Sequence, residues 1–469
     1  MASSGHRMSR RTVGLTMAAL AGSVVAAACG PVGSGSGGAR GAPSDVGETA
    51  ATWQGQQQID LWVTGYEPVV EAYKTLVAQF EQENPNIKVA NQAQKYLRTR
   101  DLVPAMAGGL PPAAGEINQP STWDFAGAGL VAPLDNFIKR DKETADAVAN
   151  DFYPGILESV TWRDQLHFLL IGVSMEVWHV NKDFWNRAGL PTSGWTWDDL
   201  LGPIGDGLKS AVGEDGSPFM CELNEMYRMM HFVLQNGGDM VDDSGTQLTI
   251  SSPEFIGAVE YVRKLVLAEV AREKNPKKAE AGPQRGGRQN VIGAKYTHGE
   301  NYRLERGDVA LELEGMTRIP RYRKSLGDLM GVVPAITGKE QKALFDSWTF
   351  GLVNQEDGAK MEAGYTFIAW LAKPQNLLTY LKARANLPPR KAIAGLPNAG
   401  DLWAAEPLVK DAMEYLDYGK TFPYTPATGP LRRGINSVLA NITRYGDPAA
   451  QTLTELEKVL NAQYGFLLQ

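Results

Sequence analysis

Between Glu67 and Glu83 apolar side chains recur at Val70, Tyr73, Leu76, Val77 and Phe80, which places them on one helical face. Ile59-Asp60-Leu61-Trp62-Val63 precedes that segment as a short apolar run, the pattern of a buried strand. Asn84-Pro85-Asn86 stops the helix, and Ile87-Lys88-Val89 opens a second strand. Strand, helix and strand with short connections predict a βαβ unit on a parallel sheet, hence an α/β protein. The alternation continues, with helices predicted over residues 96–107, 122–128, 134–139, 253–271, 360–372 and 434–462. Thr196 reads as the N-cap of a further helix, with Trp195 and Trp197 packing around its start. No repeat of solenoid length interrupts this order.

The first residues change the picture. Arg7, Arg10 and Arg11 lead an uncharged, Ala-rich run from Thr12 to Ala28 that is too short to span a bilayer comfortably. Residues 1–28 therefore read as a cleaved secretory signal. Ala26-Ala27-Ala28-Cys29-Gly30 resembles a lipobox, with Cys29 lipidated and Ala26 in place of the usual leucine. Ser9-Arg10-Arg11-Thr12-Val13 resembles a degraded twin-arginine signal, so export by Sec or by Tat are both open. Residues 29–57, dominated by Gly, Ser, Ala, Pro and Gln, read as a flexible tether between anchor and folded part. Loss of the signal's three arginines takes the formal charge from −7 to −10, an acidic balance that argues against nucleic acid as partner. Cys221 is the one cysteine besides Cys29, so lipidation leaves no intrachain disulfide, and Cys221 is expected as a small buried residue. The basic, Gly- and Pro-containing stretch 273–295 reads as a solvated loop.

The order of short signatures carries a resemblance. Phe80-Glu81-Gln82-Glu83-Asn84-Pro85-Asn86-Ile87-Lys88-Val89 is followed by Gly108-Gly109-Leu110-Pro111, Gly129-Leu130-Val131-Ala132-Pro133-Leu134 and Val180-Asn181-Lys182-Asp183-Phe184. Trp195-Thr196-Trp197-Asp198-Asp199-Leu200, Asn236-Gly237-Gly238-Asp239, Gly307-Asp308-Val309-Ala310 and Leu387-Pro388-Pro389-Arg390 come next. In this order the chain resembles the extracellular solute-binding proteins of carbohydrate ABC transporters, of the maltose-binding type. The resemblance implies a two-lobe periplasmic-binding-protein fold with an interlobe cleft and hinge crossovers. It places residues 58–172 and 347–388 in lobe one, and 173–346 and 389–469 in lobe two. The crossovers fall near Ile171–Ser174, Asp346–Trp348 and Pro388–Arg390. It further implies a monomer that captures a sugar or oligosaccharide and delivers it to permease subunits in the membrane, with no cofactor and no metal.

Sugar rings are recognised by aromatic faces, and their hydroxyls by planar polar groups. On matching positions the resemblance points to Trp348, Tyr227 and Tyr66 as stacking platforms. It adds Thr64, Glu67, Asn118, Gln119, Ser174, Glu225 and Asp346 as polar contacts, and Arg390 as either a further contact or a carboxylate's partner, with Tyr424 and Arg432 behind them. Met316 stands in a loop that commonly presents tryptophan, and Ser174 where the maltose-binding protein has a carboxylate. Strand alternation sends Ser174, Glu176 and Trp178 to one face, with Trp178 expected in the core. Two rivals use the same residues differently. One is a lipid-anchored glycan-binding or sensor-partner protein of the same fold. The other is a glycan-active hydrolase, which the sequence disfavours. Gly172-Val173-Ser174-Met175-Glu176 lacks the final glycine of a nucleophile elbow, and no histidine pair has metal-ligand spacing.

Overall fold

The computed structural model describes residues 45–465, apart from 65–66, 96, 119–121, 192–193, 214–215, 223–224, 243–244, 273–290, 293–303, 334–335, 418, 423–424 and 426. Twelve strands are described: β1 (Gln57–Val63), β2 (Ile87–Gln94), β3 (Ala114–Asn118), β4 (Thr161–Trp162), β5 (Gln165–Leu166) and β6 (Phe168–Asn181) in the first half of the chain. β7 (Ser217–Glu222), β8 (Val291–Ile292), β9 (Val309–Gly315), β10 (Met330–Val333), β11 (Ala343–Leu352) and β12 (Gly419–Thr421) follow. β1 pairs in parallel with β2 and β3, as the βαβ pattern requires. The predicted helix Glu67–Glu83 buries Val69, Val70, Ala72, Tyr73, Leu76 and Phe80.

One sheet path, β2-β1-β3-β11-β6-β9-β7-β8, runs between two separate hydrophobic cores. The first gathers Leu61, Tyr73, Phe80, Phe350 and Leu381, and the second Trp178, Phe219, Phe232, Leu311 and Leu431. β6 joins them. Its Phe168–Val177 part contributes to the first core and Trp178–Val180 to the second, and all fourteen of its residues are buried. β11 pairs antiparallel with β6 beside that passage, and Leu387 bridges back to Val173 as a third crossing. Gly172 sits at this point because a Cβ there would meet the Asn386 side chain at 2.9 Å. That close approach restricts the position to glycine.

Several boundaries differ from the sequence reading. The predicted helix over 434–462 is two, Thr428–Tyr445 and Ala449–Tyr464. Gly446 at φ 78° caps the first in the left-handed region, and Pro448 precedes the second. The tether read as reaching residue 57 is held to the first core from its far end. Asn136 Nδ2 donates to Val46 O at 3.0 Å, Arg140 Nε donates to Gly47 O at 3.0 Å, and Trp53 packs against the core. Apolar Val46 and Trp53 are what a composition count over a Gly/Ser-rich segment overlooks. Residues 1–44, including Cys29, lie outside the described residues, as does most of the basic stretch 273–295. Cys221 is a free, buried cysteine. Among the described residues, no helix is long and apolar enough to cross a membrane.

Candidate functional site

A pocket of about 240 Å³ opens where β6 leaves one core for the other. β6 supplies Ser174 and Glu176 to it, β11 supplies Asp346 and Trp348, and β9 supplies Glu314 and Gly315. Register explains their convergence. Asp346 pairs with Ser174, Trp348 with both Gly172 and Asn118, and Glu176 with Gly315. Period-two alternation then carries Ser174 and Glu176 to the pocket, while Trp178, on the same face further along, is fully buried in the second core.

The opposite wall comes from two helix starts. Glu225 is the N-cap of helix Met226–Gln235, its carboxylate accepting from Tyr227 N at 3.2 Å. That cap sets Tyr227 and Arg228 on the first turn, facing the cavity. Tyr227 stacks on Phe422 with ring centroids 5.5 Å apart, and Thr428 and Arg432 enter from helix Thr428–Tyr445. Arg432 holds the Glu225 carboxylate with two donors, Nε at 2.8 Å and Nη2.

Charge is arranged in pairs. Arg228 Nη1 lies 2.6 Å from Glu176 Oε1, and its Nη2 donates to Glu314. Burial alone would raise the Glu314 pKa, but Arg228 and Arg318 outweigh it and hold the carboxyl below its ordinary range. Behind it, Glu312 is pushed well up by burial and by the Glu314 charge. His179 is lowered to about 4 by burial, and His231 to about 3 by burial and by Arg228. Both imidazoles are therefore neutral at physiological pH.

Trp348 is positioned from behind. The Arg384 guanidinium lies 3.5 Å from the Trp348 ring centre and is absent from the pocket wall. Glu116, fully buried, lies 3.4 Å from Arg384 and accepts from Thr64 N, Tyr73 Oη and Tyr380 Oη at 3.0–3.1 Å. One Trp348 face is thus occupied by protein, and the 8 % of the residue still exposed belongs to the pocket wall.

Of the residues singled out from sequence, Trp348, Tyr227, Ser174, Glu225 and Asp346 line this pocket together, with Arg432. Others lie elsewhere. Met316 is fully buried in the first core, because the short helix Met316–Arg318 turns its apolar side chain inward. Arg390 is buried against Asp151, with Nε to Oδ2 at 2.6 Å and Nη1 donating to Ala372 O at 2.6 Å, and this pairing spends its fork away from the cavity. Thr64 is buried with its N–H on Glu116, and Glu67 is exposed in the first turn of its helix, where a negative charge suits the dipole. Tyr66, Gln119 and Tyr424 lie outside the described residues, and Asn118 is described only as the backbone partner of Trp348. Sequence reasoning passed over Arg228, Glu314, Glu116 and Arg384. The available signal was an arginine inside the apolar run Met226–Leu234 and a carboxylate inside the strand Ala114–Asn118.

A profile of the family described as bacterial extracellular solute-binding protein matches residues 65–377, about two-thirds of the chain. The chain belongs to that family. No curated protein matches it by sequence. Solved structures are similar in fold. An ABC substrate-binding protein from Listeria monocytogenes in complex with cycloalternan matches with a TM-score of 0.70 at 20% identity, covering 88% of this chain and 100% of its own. The GacH receptor of Streptomyces glaucescens, solved unliganded and with acarbose, gives 0.68 at 17%, covering 88% and 98%. UgpB from Mycobacterium tuberculosis, in complex with glycerophosphocholine, gives 0.70 at 18%, covering 87% and 98%. The shared architecture is the two-lobe binding-protein fold, and in this family member the pocket lies between the two cores.

Proposed function

We propose that the chain is the substrate-binding lipoprotein of an ABC importer, anchored through Cys29 outside the cytoplasm. It acts as a monomer that reversibly captures a sugar or oligosaccharide and delivers it to permease subunits in the membrane. The observation that carries this reading is the pairing of two aromatic rings from opposite cores, Trp348 and Tyr227, across one pocket with Ser174, Asp346 and the Arg228 cluster. Flat faces meet the C–H faces of a pyranose, while hydroxyl and ion-paired groups meet its hydroxyls. Two of the similar structures hold carbohydrate-type ligands, cycloalternan and acarbose, which supports the same class here.

Reversible binding rather than hydrolysis also fits the electrostatics. A glycosidase needs one carboxyl kept protonated at the scissile bond. Glu314 is instead held ionised by Arg228, and the described carboxyls that burial pushes up, Glu312, Asp124 and Glu406, are absent from the pocket wall. A ligand touching both lobes stabilises the closed arrangement by its differential contacts, and that form docks on the permease. Isothermal titration with a panel of neutral oligosaccharides tests the proposal. Saturable binding with compaction by X-ray scattering is expected. A panel without heat, compaction or retained glycan would remove the sugar assignment, and new reducing ends would favour the hydrolase.

A further inference from the structure

The two lobes also meet outside the pocket. Trp123 and Asp124 open the helix Thr122–Gly127, whose Phe125 and Ala126 are buried in the first core. Trp123 packs against both cores, and its Nε1 donates to Ser159 O at 2.8 Å, which fixes the indole in place. Asp124 reaches the start of helix Thr428–Tyr445, whose Leu431, Ile435, Leu439 and Ile442 belong to the second core.

That helix start lacks a cap of its own. Its N-cap residue is Ala427, which has no side-chain acceptor. The preceding turn satisfies its own donors, with Thr425 N to Thr428 Oγ1 at 2.7 Å and Ala427 N to Thr425 Oγ1 at 3.2 Å. Gly429 at the second helical position instead gives its N–H to Asp124. A Cβ on Gly429 would lie 3.1 Å from Asp124 Oδ2, so glycine lets the carboxylate approach. Helix N-termini leave such donors unsatisfied, and an acceptor there stabilises the helix. Here that acceptor comes from the other lobe.

We propose that Trp123 and Asp124 form an interlobe latch, in which a lobe-one carboxylate supplies the missing N-cap of a lobe-two helix only when the lobes are closed. Opening exposes both the Gly429 N–H and the carboxyl to water, so closure without ligand is favoured by this contact while Asp124 is protonated and opposed by it once Asp124 is ionised. In the closed arrangement burial pushes Asp124 up to about 7, although Arg433 and the Gly429 N–H pull it down. Arg433 is the charged group of the facing helix that acts on it. β4, which also packs on helix Thr122–Gly127, brings Thr161 and Trp162, neither of which titrates near neutrality. A solvated aspartate titrates near 3.9. The closed form therefore holds more protons than the open form between these values. Closure strengthens as pH falls from about 8 to about 4, by up to roughly tenfold per unit.

The test is ligand-free X-ray scattering at pH 5, 6.5 and 8 on wild type, Asp124→Ala, Asp124→Asn and Trp123→Ala, fitted to closed and open fractions. Asp124→Ala is expected to remove the pH slope of the closed-to-open ratio and to exceed wild type by more than tenfold at pH 8, and Trp123→Ala to lower the ratio at every pH. Asp124→Asn keeps an acceptor without the charge, so its closed-to-open ratio should lie about tenfold above wild type at pH 5 and not fall at pH 8. Near-ultraviolet circular dichroism on the isosteric Asn variant confirms that folding is intact. An Ala variant with the wild-type ratio at pH 8, an Asn variant with the wild-type pH slope, or a wild type open at every pH would each overturn the latch.

Discussion

The Arg384 cluster of the first lobe and the Arg228 cluster of the second both pair an arginine with carboxylate near the same pocket, yet their surroundings differ. Arg384 and Glu116 are closed off from the cavity and ringed by Tyr73, Tyr380 and the Thr64 amide. Arg228 bridges Glu176 and Glu314 at the cavity wall, with two neutral histidines close behind. The first arrangement fixes an aromatic platform and presents no polar group to a ligand. The second presents ionised groups directly. Buried ion pairs seldom stabilise more than an apolar replacement would, but removing one partner leaves a costly uncompensated charge. Under the proposed function, the two clusters separate positioning from recognition.

The largest expected effect comes from breaking the closed-off cluster. Glu116→Ala strips Arg384 of its counter-charge and three donors of their acceptor. Chemical denaturation should show a loss of about 3–5 kcal/mol. A loss below about 1 kcal/mol would mean that solvent already reaches Arg384. Arg228→Met should cost less stability, about 2 kcal/mol, because its neighbours border a wet pocket that screens them. Its mark is on binding instead, with oligosaccharide affinity down tenfold or more by titration. Arg384→Met reverses that ratio, destabilising more and weakening affinity only through a loosened Trp348.

Acid separates the lobes next. Burial keeps His231 neutral with its pKa at about 3, below the unfolded value near 6.5. Unfolding then takes up a proton, so its contribution is fully present above 6.5 and is lost as pH falls towards 3. His231→Gln should flatten the fall in unfolding midpoint between pH 6.5 and 4 relative to wild type, and an unchanged slope would assign acid sensitivity to other groups. The smallest effect belongs to the exposed Lys74–Glu71 pair on the first lobe's helix, where Lys74→Ala should leave the unfolding midpoint unchanged.

The sequence was most legible where structure is local. The helix Glu67–Glu83, the parallel pairing of β1 and β2 across that one helix, and the N-cap Thr196 each follow from one short contiguous stretch. The break of the last helix was also written locally, in Gly446-Asp447-Pro448, but an apolar period that runs on through both halves hides it. Pocket residues on the crossover strands could be placed because motif order fixes which strand each belongs to. The pairs that tune the site had no such signature. Arg228 and Glu314 are 86 positions apart, and Tyr380 and Glu116 are 264 apart, so only the folded sheet brings them together. Arg390, read as either reaching the cleft or pairing with a carboxylate, takes the second course, since Asp151 holds it away from the cavity.

In the proposed function, Trp348 and Tyr227 close on a sugar between the lobes. Native mass spectrometry of freshly purified protein, beside Trp348→Ala, tests it most directly. The account predicts a wild-type adduct whose mass corresponds to one or more hexose units, released on gentle activation and missing from the variant. A bound species without carbohydrate composition, or an adduct retained undiminished by Trp348→Ala, would contradict it.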